Sequence, residues 1–563
     1  MSWLFHKKNT KKTMKQLLYG SFLILYSVLF LSCGGREDTP AVPSFQLEFI
    51  EIDGRVNAPS YKDVNPLLVV KLSFSDAVNA TTVPLNITLR KKGGDAVALT
   101  FNPENKTVTV ASEKELPPYT SYELIINTGL KSASGKPILT GKVFSLSTGI
   151  NKTDKFPRIS DEELLTRVQK QTFKYFWDFG HPTSGMARER SGSGNTVTTG
   201  GTGFAVMAMI VASERGFITR SDALGRIRKI VLFLDTKCVR YHGAFAHWIH
   251  GETGATLPFS TYDNGADLVE TSLLFQGLLT AREYFNRSTP EETTLRAQIT
   301  RLWEEVDWKW FQKKNENVLY WHWSPEHEWK INLKVSGWNE SLITYILAAS
   351  SPTHAISKEV YAQGWARNGA MTNNATYYGY KLPLGPNLGG PLFFSQYSFL
   401  GLNPKGLKDQ YADYWEQNRN HALINYNYCV ENPKNYSGYS EYCWGLTASD
   451  GNNGYSAHSP INDRGVIAPT AALSSMPYTP EESMRALHFF YYKLGDKLWK
   501  EHGFTDAFNL SENWFDTQHL AIDQGPVIVM MENHRTGLLW KLFMSSSEIR
   551  DGLTELGFTY TAP

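Results

Sequence analysis

The fold class can be read from one apolar stretch of the chain, Thr202-Gly-Phe-Ala-Val-Met-Ala-Met-Ile-Val-Ala-Ser213. A helix through these residues is apolar nearly all round, and such a helix must be buried on every side. Other stretches share this property, namely Val269–Ala281, Ser341–Ala349, Ala468–Ser474, and Val527–Met531 running into Thr536–Met544. The sequence therefore predicts several helices that lie inside the molecule.

A second set of helical stretches has a polar face and is predicted to cover the buried helices. These are Glu162–Phe179, opened by the capping box Ser160-Asp-Glu-Glu163, with Asp222–Leu234, Thr294–Trp310, Ser357–Trp365, Leu407–Tyr428 and Glu481–Lys500. The alternation of buried and covering helices over residues 156–548 predicts a mainly α domain. We expect an (α/α)6 toroid, in which an inner ring of parallel helices lies inside an outer ring. Long loops interrupt the helices, and loops of this length are usually functional.

A different pattern precedes the helices, because residues 45–150 consist of short alternating strands separated by turn signals such as Lys92-Gly-Gly-Asp95. Their number and spacing predict a small all-β sandwich. The segments Leu116–Tyr122, Ser132–Gly135 and Phe144–Gly149 resemble the bacterial Ig-like modules of secreted enzymes. No cluster of His, Cys or paired carboxylates occurs here, so a spacer or a glycan-facing platform is the expected role.

The first residues have the features of an export signal. Residues 1–32 carry five lysines followed by the apolar run Leu17–Leu31, which fits a signal peptide better than a membrane-spanning helix. Cys33, followed by two glycines, is predicted to be the acylated residue of a bacterial lipoprotein, with residues 33–44 as a linker. The alternative is a plain signal peptide with an incidental cysteine. We therefore expect an outer-membrane lipoprotein that faces the periplasm or lies at the cell surface.

Charge and cysteine content exclude several classes of partner and site. The formal net charge of the chain is +1, and removal of the five lysines of residues 1–32 lowers it to −4. No basic run remains, so no nucleic-acid partner is expected. Cys238, Cys429 and Cys443 are too few for a disulfide framework, although the last two could pair. No CxxC or HExxH motif occurs, so no structural zinc site is expected. We also expect a monomer without a metal or a cofactor.

The aromatic content separates the two parts of the chain. The sequence has 16 Trp, 28 Tyr and 30 Phe, and after Trp3 no Trp occurs before Trp177. Trp303, Trp308 and Trp499 lie on predicted covering helices and are interpreted as packing residues. Other tryptophans lie in the long loops, where aromatic faces can stack on sugar rings, namely Trp248, Trp321, Trp323, Trp338 and Trp444. The helical part is therefore the predicted carbohydrate-handling domain.

Carboxylates stand where the buried helices begin. In a ring of parallel helices the N-termini meet at one end, so acids at these positions would gather in one cleft. Asp263, Asp267 and Glu270 are spaced four and three apart, on one helical face if the helix extends back that far. The alternative is that such acids only complement the helix dipole.

Glu340 is the acid for which that alternative is weakest. It follows Trp338 and Asn339, a residue type suited to N-capping, and it opens the apolar stretch Ser341–Ala349. Clustered carboxylates raise one another's pKa, which supplies a protonated acid beside an ionised base. Glycoside hydrolysis requires that division of labour.

Three further loops, at residues 181–190, 445–458 and 521–526, have residues typical of a functional site, although a structural role for each residue is equally open. Asp523 precedes another buried helix and joins the candidate acids. Acids beside Trp, Tyr, Asn and His suit sugar recognition, and the predicted substrate-binding residues are Arg188, Trp248, Trp338, Asn339, Trp444, Asp450, Tyr455 and His458. His247 and His250 are three apart but are interpreted as cleft or core residues rather than metal ligands.

Long motifs of the helical part resemble the bacterial glucoamylase-like family that includes endo-β-1,2-glucanases, glycoside hydrolase family 144-like proteins. They are Gly265-Ala-Asp-Leu-Val-Glu270, Gly337-Trp-Asn-Glu340, Leu384-Gly-Pro-Asn-Leu-Gly-Gly-Pro391, Ser456-Ala-His-Ser-Pro-Ile-Asn-Asp463 and Glu532-Asn-His-Arg-Thr-Gly-Leu-Leu-Trp540. The resemblance implies an (α/α)6 toroid and inverting endo-hydrolysis of linear β-1,2-glucan to short sophoro-oligosaccharides, without a metal. It also implies that Glu340 is the general acid and that Asp263, Asp267, Glu270 and Asp523 are important for activity. The residue that activates water is left open.

Two other functions remain open from the sequence. One is a non-catalytic surface glycan-binding lipoprotein, which needs the tryptophans but not the acids. The other is a toroid-fold hydrolase or lyase that acts on another polysaccharide. A lyase would use Tyr or His as a base on an acidic polymer, and the charge of −4 argues against one.

Overall fold

The computed structural model describes residues 44–561, which divide between Gly149 and Ile150 into two compact units. The predicted signal peptide 1–32, the lipidation site Cys33 and the predicted linker up to residue 43 lie outside the described residues. Within residues 44–561, no helix is both long enough and apolar enough to cross a membrane.

Between residues 44 and 149, the first unit is built from ten strands and a short helix, α1 (Val83–Asn86). The strands are β1 (Leu47–Ile52), β2 (Arg55–Val56), β3 (Tyr61–Val64), β4 (Val69–Phe74), β5 (Ile87–Lys91), β6 (Ala96–Val97), β7 (Leu99–Glu104), β8 (Thr107–Ser112), β9 (Ser121–Ile126) and β10 (Lys142–Thr148). They form two five-stranded sheets, with strand orders β2-β1-β4-β8-β7 and β3-β10-β9-β5-β6. Alternate residues such as Tyr122, Leu124 and Ile126 are buried, as the period of a half-buried strand requires. The predicted all-β unit is confirmed.

The second unit is mainly helical. Its helices are α2 (Asp161–Trp177), α3 (Thr199–Glu214), α4 (Arg220–Thr236), α5 (Leu268–Tyr284), α6 (Pro290–Glu304), α7 (Leu342–Ser350), α8 (Tyr414–Glu431), α9 (Pro469–Leu473), α10 (Pro480–His488), α11 (Gly495–Leu498), α12 (Ala521–Arg535), α13 (Leu538–Ser545) and α14 (Ser547–Leu556). The capping box predicted at Ser160 is present, because its hydroxyl accepts the Glu163 N–H and the Glu163 side chain accepts the Ser160 N–H. The ring arrangement of an (α/α)6 toroid stays a prediction.

The helices predicted to be buried all round form the centre of this unit. Every residue of α7 is buried, and α3 is buried from Thr199 to Ala212. Helix α3 packs on α5 and α12, and α5 also packs on α7. At the α3–α5 crossing a Cβ on Gly203 would lie 2.2 Å from the Leu273 carbonyl oxygen, and one on Gly277 would lie 2.1 Å from the Gly203 oxygen. The two backbones therefore touch, which only glycine permits at these positions.

The predicted covering helices differ from the observed elements in their ends, and three of them differ by several residues. Helix α8 begins at Tyr414, not at Leu407, because the Asp413 side chain accepts the N–H groups of Trp415 and Glu416 at 3.0 and 3.2 Å. Helix α6 ends at Glu304, so Trp308 lies beyond it, although it is fully buried as a packing residue. The stretch predicted as Glu481–Lys500 breaks into α10, a π-helical turn, α11 and a strand. Helix α14 was not predicted.

The long loops contain short strands that hold them against the helices. These are β11 (Thr196–Thr198), β12 (Trp248–His250), β13 (Thr256–Leu257), β14 (Ala266–Asp267), β15 (His322–Trp323), β16 (Thr372–Tyr377), β17 (Tyr380–Leu384), β18 (Ala448–Ser449), β19 (Ser456–Ala457), β20 (Trp499–Lys500), β21 (Gly503–Phe504), β22 (Phe508–Asn509) and β23 (Trp514–Phe515). Strands β11, β12 and β13 form one sheet, and β14 pairs with β15. These strands position the site described next.

Candidate active site

Two carboxylates lie at the start of α5. Asp267 is the N-cap, and its Oδ1 accepts the Glu270 N–H at 2.9 Å. Glu270 Oε2 accepts the N–H of Gly200, in the first turn of α3, at 2.7 Å and the hydroxyl of Thr198 at 3.2 Å. The positive ends of two helices thus hold the Glu270 carboxylate.

Asp263 joins this group by a different route from the one predicted. Helix α5 begins at Leu268, so no single helical face carries Asp263, Asp267 and Glu270. Instead β14 pairs with β15, and this pairing places His322 opposite Asp267, with His322 Nε2 3.5 Å from Asp263 Oδ1. Neither oxygen of Asp263 accepts a hydrogen bond from the described residues.

The close pairing of β14 and β15 depends on Gly265. A Cβ at Gly265 would lie 2.3 Å from the carbonyl oxygen of Trp323. On the other side of the acids, His247 Nδ1 lies 2.8 Å from Asp267 Oδ2. His247 is therefore paired with an acid of this site.

Burial and mutual repulsion shift the pKa values of this group. Burial, reinforced by the charge of Asp267, raises the pKa of Asp263 to about 7. Burial also raises the pKa of Glu270, against the opposing charge of His247. Burial alone would lower the pKa of His247, but the charges of Glu270 and Asp267 outweigh it and raise the pKa to about 9. At neutral pH an imidazolium thus stands beside a carboxyl that can hold a proton.

Glu340 lies directly before α7 and is 6% exposed. Its backbone carbonyl accepts the hydroxyl of Ser398. Asn339 does not cap the helix as predicted, because its Oδ1 accepts the N–H and the hydroxyl of Ser341 at 3.0 and 2.5 Å. The turn that presents Glu340 is thereby fixed on both sides.

One buried tyrosine contacts two of the buried helices, α3 and α5. Tyr397 is buried, its ring packs on Phe204 of α3 at 5.3 Å, and its carbonyl accepts the side-chain N–H of Gln276 in α5 at 3.0 Å. Burial raises its pKa well above the usual range, and so do the charges of Asp523, Tyr455, Glu340 and Glu270. The acids at the starts of α5, α7 and α12 therefore all act electrostatically on one buried hydroxyl.

A second carboxyl group contains acids that the sequence analysis missed. Arg190 Nη1 lies 2.8 Å from Asp450 Oδ2, and the Asp450 N–H donates to Asp506 Oδ2 at 2.6 Å. Burial raises the pKa of Asp523 to about 7 and that of Asp506, beside Asp523, well above the usual range. Burial also raises the pKa of Asp516 to about 6.

Among residues 44–561, two groups have ligand atoms close enough together to enclose a cation, His247 with Asp263 and Asp267, and Asp450 with Asp506 and Asp516. In each group a cation of the protein already pairs with a carboxylate, since the imidazole of His247 bonds to Asp267 and the guanidinium of Arg190 to Asp450. We therefore interpret both as proton-holding carboxyl clusters and not as metal centres.

Several predicted binding residues are buried. Trp444 is fully buried and its indole N–H donates to the Glu482 carbonyl at 3.2 Å, so it cannot stack on a sugar. Trp338 is 5% exposed and packs near Phe399, and His458 is 1% exposed.

Other predicted binding residues are only partly buried. Arg188 donates to the Phe179 carbonyl at 3.0 Å and lies over the Phe179 ring, so it fastens its own loop. Trp248, half-buried, and the exposed Tyr455 keep surface for a ligand.

The sequence analysis missed exposed aromatic residues near the acids Asp263, Asp267 and Glu270. Phe259 is 37% exposed and stacks on His247 at 4.3 Å, and Tyr262 is 40% exposed. Both precede Asp263 by only a few residues, and this closeness in sequence to a candidate acid is the signal that could have found them. Trp310, 39% exposed, stacks on His242 and had been assigned to a covering helix.

Comparisons with known proteins identify the family of this chain. The Glycoamylase family model matches residues 332–547, and the bacterial Ig-like domain model matches residues 56–148. The solved endo-β-1,2-glucanase from Chitinophaga pinensis, in a complex with sophorotriose and glucose, is 53% identical and covers 71% of this chain and 99% of its own, with a TM-score of 0.70. The chain belongs to the glucoamylase-like glycoside hydrolase family. The family resemblance and the Ig-like assignment are confirmed.

Two relatives from Parabacteroides distasonis extend the comparison of this family member. The curated exo-β-1,2-glucooligosaccharide sophorohydrolase (non-reducing end) is 46% identical over 444 residues, which are 74% of this chain and 61% of the relative. The chain thus spans 61% of the length of that curated relative. A solved β-1,2-glucanase is 38% identical and covers 92% of this chain and 74% of its own, with a TM-score of 0.69.

Proposed function

We propose that this chain hydrolyses β-1,2-glucan with Glu340 as the general acid. The observation that carries the proposal is that Glu340, Glu270 and Asp523 stand at the starts of three buried helices and that their charges all act on the hydroxyl of Tyr397. The relatives support the substrate, because their names describe β-1,2-glucanases and a β-1,2-glucooligosaccharide hydrolase.

We assign the activation of water to Asp523. Glu270 and Asp267 are already held by Gly200 and His247, so these two carboxylates are suited to fixing the cleft and binding sugar hydroxyls. Asp523 Oδ2 accepts no N–H or O–H from residues 44–561, and its pKa of about 7 suits a base near neutral pH. Attack on the sugar face opposite Glu340 inverts the anomeric carbon.

We further propose endo cleavage to short sophoro-oligosaccharides within an (α/α)6 toroid. Each central helix has a more exposed partner, α4 on α3, α6 on α5, α14 on α7 and α2 on α12, which supports two rings. Exo release of sophorose is the second candidate, favoured by the name of the curated relative. A linear glucan that loses viscosity early, with a spread of product sizes, identifies endo cleavage, whereas sophorose alone from the first minutes identifies exo cleavage.

The catalytic proposal is tested with the chain lacking residues 1–32 and linear β-1,2-glucan. We expect new reducing ends from the wild type and a loss of at least about a hundredfold in kcat for Glu340→Gln, in line with the removal of a general acid. Glu481→Gln, which removes an exposed carboxylate from the first turn of α10, is the matched control and should keep full activity. Equal rates for wild type and Glu340→Gln would contradict the assignment, and glucan retained without cleavage would indicate a binding protein.

We also propose that Cys33 carries a lipid that anchors the chain in a bacterial outer membrane. The basic residues, apolar run and following glycines of residues 1–35 support this. Metabolic labelling with an alkyne fatty acid should mark the wild type and not Cys33→Ala. A label that persists in Cys33→Ala would contradict the site.

A further inference from the structure

Asp506 is a fully buried acid that no motif of the sequence singles out. It lies between β21 and β22 and is 1% exposed. Its Oδ2 accepts the Asp450 N–H at 2.6 Å, while Oδ1 accepts no N–H or O–H within the described part of the chain. One oxygen is thus a fixed acceptor, and the other has no donor.

A small cavity lies against Asp506 and Asp523. The centre of a water molecule has about 10 Å³ available there, which is room for a single water. Thr172 and Thr505 also line it, and their hydroxyls have no hydrogen-bond partner among residues 44–561. All four side chains are at most 2% exposed. The unpartnered carboxyl and hydroxyl oxygens that line this cavity give a water molecule its hydrogen-bond partners, whereas a wholly apolar cavity stays dry.

We propose that Asp506 is a positioning residue that keeps its proton and donates it as a hydrogen bond to the Asp523 carboxylate, while Thr172 and Thr505 hold one water against this pair. The proposal rests on the proposed function, in which Asp523 accepts a proton from the attacking water. In that step the water O–H bond breaks, its proton goes to Asp523 and its oxygen bonds to the anomeric carbon. The glycosidic bond breaks, and its oxygen takes the proton of Glu340.

The charges around the pair explain why Asp506 must be neutral. The titratable and charged groups that face the pair are Glu189, Arg190, Asp450, Asp516, Tyr175, Tyr397 and Tyr455. Arg190 is the cation of this set, and it already pairs with Glu189 and Asp450. A further buried carboxylate beside Asp523 would be unpaired, which is costly, so protonation of Asp506 is the cheaper state. Its elevated pKa agrees with this.

The bonding pattern of Asp506 makes the proposal testable by substitution. A protonated Asp offers one acceptor, for the Asp450 N–H, and one donor, for Asp523, and an Asn offers the same two groups. Asp506→Asn should therefore keep the acidic limb of the pH profile of kcat/KM within about 0.5 unit of the wild type. Asp506→Ala removes the donor, so the pKa of Asp523 rises and the limb moves up by about one unit, a tenfold loss at pH 6.

Control measurements separate positioning from folding. Asp551→Asn, at an exposed position of α14, should leave the profile unchanged. Because Asp506→Ala could unfold, Thr505→Val gives a milder test, and it should shift the limb in the same direction by less. A high-resolution crystal structure should show one water bonded to Thr172 Oγ1 and Thr505 Oγ1.

Each result has a defined meaning. An Asp506→Asn variant as impaired as Asp506→Ala would overturn the proposal, because it would make Asp506 an anion and not a donor. Activity lost with EDTA and restored by Ca²⁺ would overturn it in favour of a metal centre. A wild type that does not cleave glucan at any pH would refute the proposed function itself, which is a different failure.

Discussion

Replacing Gly203 by Ala tests how the core supports the site. A Cβ there would lie 2.2 Å from the Leu273 carbonyl oxygen and 2.7 Å from the Leu274 Cα, both backbone atoms of α5 that cannot rotate away. Carbon and oxygen need about 3.2 Å, so α3 must move by about 1 Å. Overpacking of this kind costs about 3 kcal/mol, and the better helix propensity of Ala returns about 1 kcal/mol. We expect a net loss of about 2 kcal/mol.

The same movement should reach the chemistry. Gly200 lies one turn earlier on α3, and a shift of about 1 Å would stretch its 2.7 Å bond to Glu270 beyond hydrogen-bond distance. Urea denaturation followed by far-UV circular dichroism and glucan hydrolysis measure the two effects. Gly225→Ala in α4 is the matched control, because within residues 44–561 no heavy atom apart from its chain neighbours and its own helix backbone lies within 4 Å of its new Cβ. This variant should be slightly more stable than the wild type. A Gly203→Ala variant that gains stability as Gly225→Ala does would refute the reasoning.

Three further predictions concern Trp444, Phe259 and His247. Trp444→Phe should lower the free energy of unfolding by about 1 to 2 kcal/mol, because the variant loses the hydrogen bond from the indole to the Glu482 carbonyl. The KM for glucan should stay unchanged, and a raised KM would show that Trp444 contacts the glucan. Phe259→Ala should raise the KM for glucan about three- to tenfold with little change in kcat, because it removes an exposed ring on which a sugar can stack. An unchanged KM would exclude contact between Phe259 and the glucan. The pKa of His247 is raised from 6.5 to about 9. Its bond to Asp267 therefore stabilises the fold fully below pH 6.5 and no longer above about pH 9. The difference in urea midpoint between the wild type and His247→Gln should shrink as the pH rises through that range.

The sequence predicted what depends on local pattern. Helix α3 is apolar on every face and is buried from Thr199 to Ala212, because no orientation could solvate it. Asp267 and Glu270 stand at the start of α5 because acids favour that end of a helix, and this preference is visible without a structure.

The rest depends on contacts between distant segments. Asp506 bonds to Asp450, a partner far away in the chain, and nothing in its neighbours signals this. Trp444 lies in a Gly-rich loop that looks exposed, but the loop folds inward and packs its ring near Tyr426. Asp263 reaches the site through the pairing of β14 with β15, which no helical spacing predicts.

The pairing of β14 with β15 also divides this loop into a part that the strand pairing holds in place and a turn that it does not hold. It fastens Ala266 and Asp267 to Trp323 and His322, while the neighbouring turn at Pro325 and Glu326 is exposed to solvent. Residues inserted at that turn would lengthen the loop without displacing Asp267. Growth of the loop at this one turn would therefore leave the acids at the start of α5 in place.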